Sequence, residues 1–523
     1  MIAHSNFKTF HLAGKTHSPP NLHSVRRRSL PPTIVSTKED ATESTTMKRC
    51  RQEKTKTEPR ALGDIEDIIF SIEEIPEIRG SLLKWYDENQ RDLPWRRISK
   101  NGDNNGVSVG ERERRAYAVW VSEVMLQQTR VQTVIDYFNR WMEKWPTIHD
   151  LAQADIEEVN ELWAGLGYYR RARFLLEGAK MIVEDRTEFP KTVSSLRKVK
   201  GIGDYTAGAI ASIAFNETVP VVDGNVIRVI ARLKALSANP KDSKTVKNVW
   251  KLAGQLVDPS RPGDFNQALM ELGATVCTPF GPSCSACPIS HQCRAVLLST
   301  KDKSVQVTDY PMKVVKAKQR RDFSAVSVVE IVEVDGSRSD SRFLLVKRPD
   351  NGLLAGLWEF PSVLLEGETD LASRRKAIDN FLKESFGVDI RKSCKIVLRE
   401  EVGEYVHVFS HIRLKMCIEL LILNLKGGKN FMQRTQESVT LTWKFVDGEA
   451  LSSLGLTSGV RKVYTMVEKF KQNSSDSVPA KTRKKKKEKT ANEMNEMLGH
   501  DICQHIKVAD QCFIFRRTAS FLG

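Results

Sequence analysis

Cys277, Cys284, Cys287 and Cys293 place four thiols within one short stretch, C-TPFGPS-C-SA-C-PISHQ-C. In a chain without a secretory signal, four cysteines this close read as a metal site rather than as disulfides. Zinc sites usually pair two C-x-x-C knuckles. Here one knuckle has a longer arm on either side, which favours a [4Fe–4S] cubane with a thiolate at each corner. Zinc and buried free cysteines remain the alternatives.

Upstream lie two carboxylates. Asp223, in VVDGNVIRV, stands where a helix begins, and the ordinary role of an aspartate there is to cap it. Glu123 sits in a helical stretch among Val121, Val124, Met125 and Leu126. A glutamate in such a stretch usually faces solvent. One lodged among apolar neighbours instead has its pKa raised and can hold a proton near neutral pH. Ahead of Asp223, Gly201-Ile-Gly203-Asp204-Tyr205-Thr206-Ala207 sets two glycines around one apolar residue. Such a turn, followed at once by a helix N-terminus, suits a phosphate. A short G-x-G is weak alone; its order with Asp223 and the cysteine loop gives it weight.

These groups need elements to hold them. Apolar positions recur at helical spacing over 117–141 and 156–182. From about residue 323 the texture turns to strands, over 324–334, 343–347, 395–400 and 414–423. The fold class that follows is multidomain. It has a tail at 1–64, an all-α domain at 65–295 with the cysteine loop, a connector at 296–322, an α+β domain at 323–470 and a basic tail at 471–523.

The formal net charge is +16, a balance that suits a polyanionic partner. Residues 1–60 carry twelve Lys/Arg against five Asp/Glu, and residues 471–523 eleven against six. The tails therefore hold twelve of the sixteen charges, so the excess says little about the folded part. The first 38 residues contain no Asp or Glu but include Arg26, Arg27 and Arg28, the pattern of an organellar transit peptide or of a disordered tail. Residues 481–489 (KTRKKKKEK) read as a nuclear localisation signal or as solvated charge. The expected location is the nucleus, with a mitochondrion or plastid as a further destination. No apolar run approaches the roughly 18 residues that span a bilayer, so no membrane partner is expected. A monomer is expected.

The ordered hairpin, aspartate and four-cysteine loop resemble the helix–hairpin–helix DNA glycosylase superfamily, and SEVMLQQTRV around Glu123 is similar to the signature of its adenine DNA glycosylases. The resemblance implies a bound [4Fe–4S] cluster that anchors a basic loop against DNA. It also implies that Glu123 protonates adenine at N7 while Asp223 faces the cation developing at C1′, along a retaining path with a transient covalent adduct. Paired carboxylates of opposite protonation around a glycosidic bond repeat the logic of glycoside hydrolases. Tyr205 and Asn225 are expected to orient Asp223 and the attacking groups. Endonuclease III-like members carry at position 205 a lysine that forms a Schiff base; a phenol cannot, so a monofunctional enzyme leaving an abasic site is expected. By the same resemblance Gly201 and Gly203 hold the DNA backbone. Arg96 (in LPWR) and Gln267 (in FNQ) line the adenine pocket. Gln128 and Tyr168 wedge into the duplex where adenine is extruded. The polar insertion 99–114, expected as a surface loop, separates Arg96 from the next helix.

Gly352-Leu-Leu-Ala-Gly-Leu-Trp358-Glu-Phe-Pro361 and Phe409-Ser410-His411 resemble the Nudix-like C-terminal domain of the same family. The stretch from 365 to 387 lacks the R-E-U-x-E-E core whose glutamates hold Mg²⁺, so hydrolysis by this domain is not expected. The resemblance implies instead that Phe409, Ser410 and His411 probe 8-oxoguanine opposite the adenine, with Ser410 bonding N7–H. The expected function is therefore excision of adenine mispaired with 8-oxoguanine or guanine in double-stranded DNA. The alternatives are an endonuclease III-like glycosylase/lyase, against which Tyr205 argues, and a non-catalytic lesion-binding module, against which the Glu123/Asp223 pair argues.

Overall fold

The computed structural model describes residues 68–100, 108–185, 188–314, 318–332, 341–425 and 441–476. The arginine-rich N-terminal stretch and the 481–489 basic run lie outside the described residues. No described helix is long and apolar enough to cross a membrane.

The N-terminal part is helical and holds two cores. One gathers Leu93 to Val221 around Trp120, Trp141 and Trp163. Trp141 stacks edge-on to both Trp145 and Trp163. Its indole N–H donates to Tyr117 Oη at 2.9 Å, and that hydroxyl donates to the carbonyl of Trp145, so the polar atoms buried with these rings are satisfied. Each large ring removed from water contributes roughly 1.5–3 kcal/mol. The second core runs from Val222 to Ala295 and is completed by the first helix, Glu74–Asn89, which returns from the far end of the chain to pack there. The cores divide between Val221 and Val222, immediately before Asp223.

The periodic run at 117–141 is not one helix. Val109–Leu126 ends at Gln127, and Val131–Lys144 begins after a turn in which Gln128 has φ 56°. The run at 156–182 likewise breaks between Ile156–Trp163 and Arg170–Asp185, where Gly165, Gly167 and Tyr168 all have positive φ. Apolar periodicity continues across both breaks because both sides face the same core. Part of the insertion expected as loop is helical too. Pro94–Lys100 runs into it, and Ser108 with Glu111 forms a capping box that starts Val109–Leu126, leaving 101–107 outside the described residues.

The C-terminal part is a mixed sheet of seven strands. These are β1 (Arg320–Ile331), β2 (Arg342–Lys347), β3 (Trp358–Glu359), β4 (Ser362–Leu365), β5 (Cys394–Val408), β6 (Ile412–Leu425) and β7 (Trp443–Val446). The order is β3-β2-β1-β6-β5, with β4 paired to β1 and β7 to β2. β1 and β6 run parallel and the other pairs antiparallel. β1 begins at Arg320, inside the stretch read as connector. β5 extends eight residues beyond the segment legible in sequence; as an edge strand with polar and exposed positions, its far half lacks an apolar alternation. Helix Leu371–Phe386 packs on this sheet with Arg374 paired to Glu401 and Arg375 to Glu419, while Arg399 reaches Asp379 and Glu419. Each of these carboxylates is thus matched by an arginine.

The two parts meet through the GLLAGLWEFP segment. Leu357 is buried in the first helical core, and Trp358 Nε1 donates to Glu157 Oε2 at 2.9 Å while Lys347 Nζ reaches Glu157 Oε1 at 2.9 Å. Tyr169 Oη donates to the carbonyl of Leu456, tying the GLGYY turn to the sheet-bearing part.

Candidate active site

Glu123 lies on Val109–Leu126, a helix buried on every side from Ala116 to Met125, and is 7% exposed. Helix Asp204–Phe215 packs along it and brings Tyr205 close enough for its hydroxyl to donate to Glu123 Oε2 at 2.5 Å. Burial pushes the Glu123 carboxyl up to about 7, opposed by the Tyr205 hydrogen bond, reinforced by the charge of Asp223 and opposed by Arg96. Tyr205 is raised well above 10, first by burial and then by the charges of Glu123 and Asp223, so it stays a phenol. The sequence expectation for Tyr205 needs correction: its hydroxyl orients Glu123, not Asp223, because the helix that carries it packs against the Glu123 helix.

Asp223 is the N-cap of helix Gly224–Leu233, its Oδ1 accepting from Val226 N at 2.8 Å. Its Oδ2 accepts from Asn225 Nδ2 at 2.7 Å, as expected. Capping and a place in the site coexist in this residue. Burial raises its carboxyl, while the Val226 and Asn225 hydrogen bonds and the nearby Arg228 pull it back down. Glu123, Tyr205 and Asp223 thus lie within one another's field at the seam of the two helical cores, where Met270 packs against both.

Asn225 is itself held. Its Oδ1 accepts from Arg228 Nη2 at 2.7 Å, and the same guanidinium donates to the carbonyls of Gly273 and Cys277. Helix Pro262–Thr275 approaches so closely here that a Cβ on Gly273 would sit 2.6 Å from Asn225 Cβ. Gly273→Ala is expected to displace Asn225 from Asp223 and slow single-turnover chemistry at this site roughly tenfold or more with the fold retained. An unchanged rate in the folded variant would detach Asn225 from the chemistry.

Arg96 is held in place by its neighbours. Its Nη2 donates to Glu271 Oε2 at 2.9 Å and its Nη1 to the carbonyl of Arg91, with the Tyr86 ring beneath. It enters the site as a fixed positive charge acting on Glu123, and only Nε is buried without a partner. Glu271, 1% exposed, also pairs with Arg91. Burial alone would raise its carboxyl, but the two arginines hold it below the usual range. Sequence reading missed Glu271, although a lone acid among Leu269, Met270 and Leu272 is the signal that marked Glu123. Gln267 bonds back to the carbonyl of Gly263, and helical spacing puts it on the face that carries Met270 and Glu271. Phe265, by contrast, belongs wholly to the second core.

Gly201 has φ 86°, and a Cβ there would sit 2.6 Å from Phe174 Cβ, so the hairpin needs glycine at that position. Gly203 is the N-cap position of Asp204–Phe215, and both glycines are exposed with helical amides behind them. Gln128 and Tyr168 meet at the surface, Tyr168 Oη donating to Gln128 Oε1 at 2.8 Å; Tyr168 is 49% exposed and is not a core aromatic.

The four cysteines are free thiols close enough to act on one another electrostatically. Burial raises Cys284 and Cys293 and pushes Cys287 up to about 12. Among the described residues no three His, Cys, Asp or Glu side chains converge as one ion would require. A cubane, which spreads four thiolates over its corners, needs no such convergence, and the all-sulfur donor set fits it. The cations of this region lie beside the cysteine stretch rather than within it. The residues between Cys277 and Cys293 include no Lys or Arg, and the adjoining cations are the exposed Arg294 directly after Cys293, Arg228, and the buried Arg232, whose Nη1 donates to Cys277 Sγ at 3.2 Å.

In the sheet-bearing part, Phe409, Ser410 and His411 form the tip between β5 and β6. Gln319 Nε2 donates to the carbonyl of Phe409 at 2.8 Å, and the His407 ring packs edge-on to Phe409 with centroids 4.4 Å apart. Ser410 Oγ lies 3.1 Å from His411 Nδ1.

Comparison with known proteins follows the same division. Residues 121–255 match the HhH-GPD superfamily of base excision DNA repair proteins, and residues 337–466 match the NUDIX domain. An adenine DNA glycosylase of Arabidopsis thaliana is 62% identical over 422 residues, covering 77% of this chain and 66% of that relative, just under two thirds of its length. The Homo sapiens adenine DNA glycosylase is 46% identical, covering 76% and 75%, and that of Mus musculus is 42% identical, covering 80% and 84%.

Proposed function

Because this chain belongs to the adenine DNA glycosylases, we propose that it excises adenine mispaired with 8-oxoguanine, or with guanine, from duplex DNA in base-excision repair. The observation that carries the reading is the buried Glu123 carboxyl, titrating at about 7, in contact with Tyr205 and in the field of Asp223. Two acids with opposite proton states are what N-glycosidic hydrolysis of a purine requires. Glu123 gives its proton to N7 of the extruded adenine, so the base departs neutral as the bond to C1′ breaks. The Asp223 carboxylate, fixed by Val226 N–H and Asn225, compensates the cation left on the sugar. Water then adds its oxygen to C1′ and returns a proton to Glu123. Tyr205 forms no imine, so the product is an abasic site and the strand stays intact.

Cys277, Cys284, Cys287 and Cys293 would hold a [4Fe–4S] cluster. When bound, a cluster with four thiolate ligands offers no open position to substrate, so what it supplies is a rigid cross-link of this loop. Arg228 connects that loop to Asn225, and Arg232, one turn further along the Asp223 helix, bonds the same loop at Cys277 and Thr278.

In the sheet-bearing part, Ser410 accepts from N7–H of 8-oxoguanine while its hydroxyl hydrogen points to His411 Nδ1. Undamaged guanine has an acceptor at N7 and gains nothing there. Ser410→Ala should erode the preference for 8-oxoguanine over guanine by about 1–3 kcal/mol; undiminished selectivity would remove this tip from the recognition step. The experiment that tests the whole reading is base release from matched duplexes bearing adenine opposite 8-oxoguanine, guanine, cytosine or thymine, with and without alkali. Breaks that appear only after alkali, fastest opposite 8-oxoguanine, are expected. Direct strand cleavage, or equal rates on all four, would overturn it.

A further inference from the structure

Gln128 and Tyr168 each occupy a left-handed backbone, with φ of 56° and 49°, in two turns 40 residues apart in sequence. Non-glycine residues adopt that conformation uncommonly, and two such turns in contact need something to hold them. One side chain does so. Arg171 Nη1 donates to the carbonyls of Val124, Met125 and Gln127 at 2.8, 3.1 and 2.6 Å. Its Nη2 donates to the carbonyls of Leu166 and Gly167 at 3.3 and 3.0 Å. The guanidinium also lies over the rings of Trp163 and Tyr168. No described carboxylate forms an ion pair with Arg171, so its charge is met by carbonyl dipoles and ring faces. A planar fork with five donors suits a ring of carbonyls from two loops; an ammonium, a compact point charge, does not span them.

We propose that Arg171 is a positioning residue for base extrusion, joining the Gln128 and Tyr168 turns into one rigid wedge before DNA arrives. The inference rests on the reading of Gln128 and Tyr168 as the residues that enter the duplex. Tyr168 is prevented from folding back, and Gln128 is presented beside it, because the carbonyls just before each of them are bound to one half-buried group. Wedge and acid are also coupled through the same group, since Val124 and Met125 directly follow Glu123.

The test reads extrusion itself. In full-length protein carrying Glu123→Gln, a duplex with 2-aminopurine opposite 8-oxoguanine brightens as the fluorescent base unstacks. Adding Arg171→Lys is expected to slow that rise roughly 10–100-fold, with binding to an abasic product duplex retained, since nothing is left there to extrude. A general loosening of the fold would weaken both. In a Tyr168→Ala background Arg171→Lys should add little further, because the two act as one unit. A rise as fast as the parent's, or losses that add in full, overturns the inference. If Arg171→Lys does not yield folded protein, Gly167→Ala disturbs the same turn at φ 73° with open space around it and carries the same expectation; unaltered extrusion there also overturns it. Tyr168→Ala alone separates the two levels. If it leaves the rise unchanged the wedge reading has failed, and if it slows the rise while Arg171→Lys does not, only the role of Arg171 has failed.

Discussion

Asp223→Asn is expected to reduce single-turnover adenine release by roughly 10³-fold or more while leaving DNA binding in place. The substitution keeps the cap, since asparagine is as good an N-cap as aspartate, and Val226 N–H still finds an oxygen. What is lost is the negative charge facing the sugar, in a site where burial already works against charge and where fixed dipoles do not reorganise. One local cost follows. The new amide faces Asn225 Nδ2, a donor held in place because Asn225 Oδ1 is committed to Arg228, so stability should fall by about 1–2 kcal/mol. That is too little to unfold a protein of this size, and a melting curve measured beside the kinetics separates the two effects. Turnover at the parent rate would refute the assignment.

Glu123→Gln removes the proton that the base must receive, and a loss of roughly 10²–10⁴-fold is expected. The shift on Glu123 adds a pH signature. The parent enzyme should lose activity as pH rises through about 7, where the acid gives up its proton. It should lose activity again on the acid side, where Asp223, raised by burial, takes one up. The result is a bell. In Glu123→Gln the alkaline limb should vanish. The stability sign runs the other way. A carboxyl held at about 7 when folded and near its ordinary value when unfolded costs stability progressively as pH climbs from about 4.5 to 7, on the order of 3 kcal/mol at most. The glutamine variant should therefore melt higher than the parent at pH 8 and no higher at pH 5. An alkaline limb that persists in the variant would assign the acid to another group.

Most chemical groups of the candidate site, Glu271 excepted, were legible because their chemistry demands a residue type at a local spacing. The four cysteines, the paired glycines of the hairpin, the aspartate at a helix start and the glutamate in an apolar run all announce themselves within a few residues. Helix and strand classes were legible for the same reason, from repeats of 3.6 and 2. The breaks at Gln128 and Tyr168 were not, since apolar spacing runs through them while the left-handed backbone at Gln128 and at Gly165, Gly167 and Tyr168, held by Arg171, turns the chain.

Residue order and type alone determined that a glutamate in an apolar helical run, an aspartate at a helix start, a paired-glycine turn and four close cysteines share one chain, because each is a short-range pattern. Which partners they take was decided by packing. Tyr205 reaches Glu123 across 82 residues, Arg96 is claimed by Glu271 across 175, and Arg228 joins Asn225 to Cys277 because two helices and a loop meet there. Such contacts depend on how whole helices lie against one another, and no local repeat encodes that. The raised proton affinity of Glu123 belongs to the same category: it comes from burial on every side of its helix, which exists only once the cores have closed.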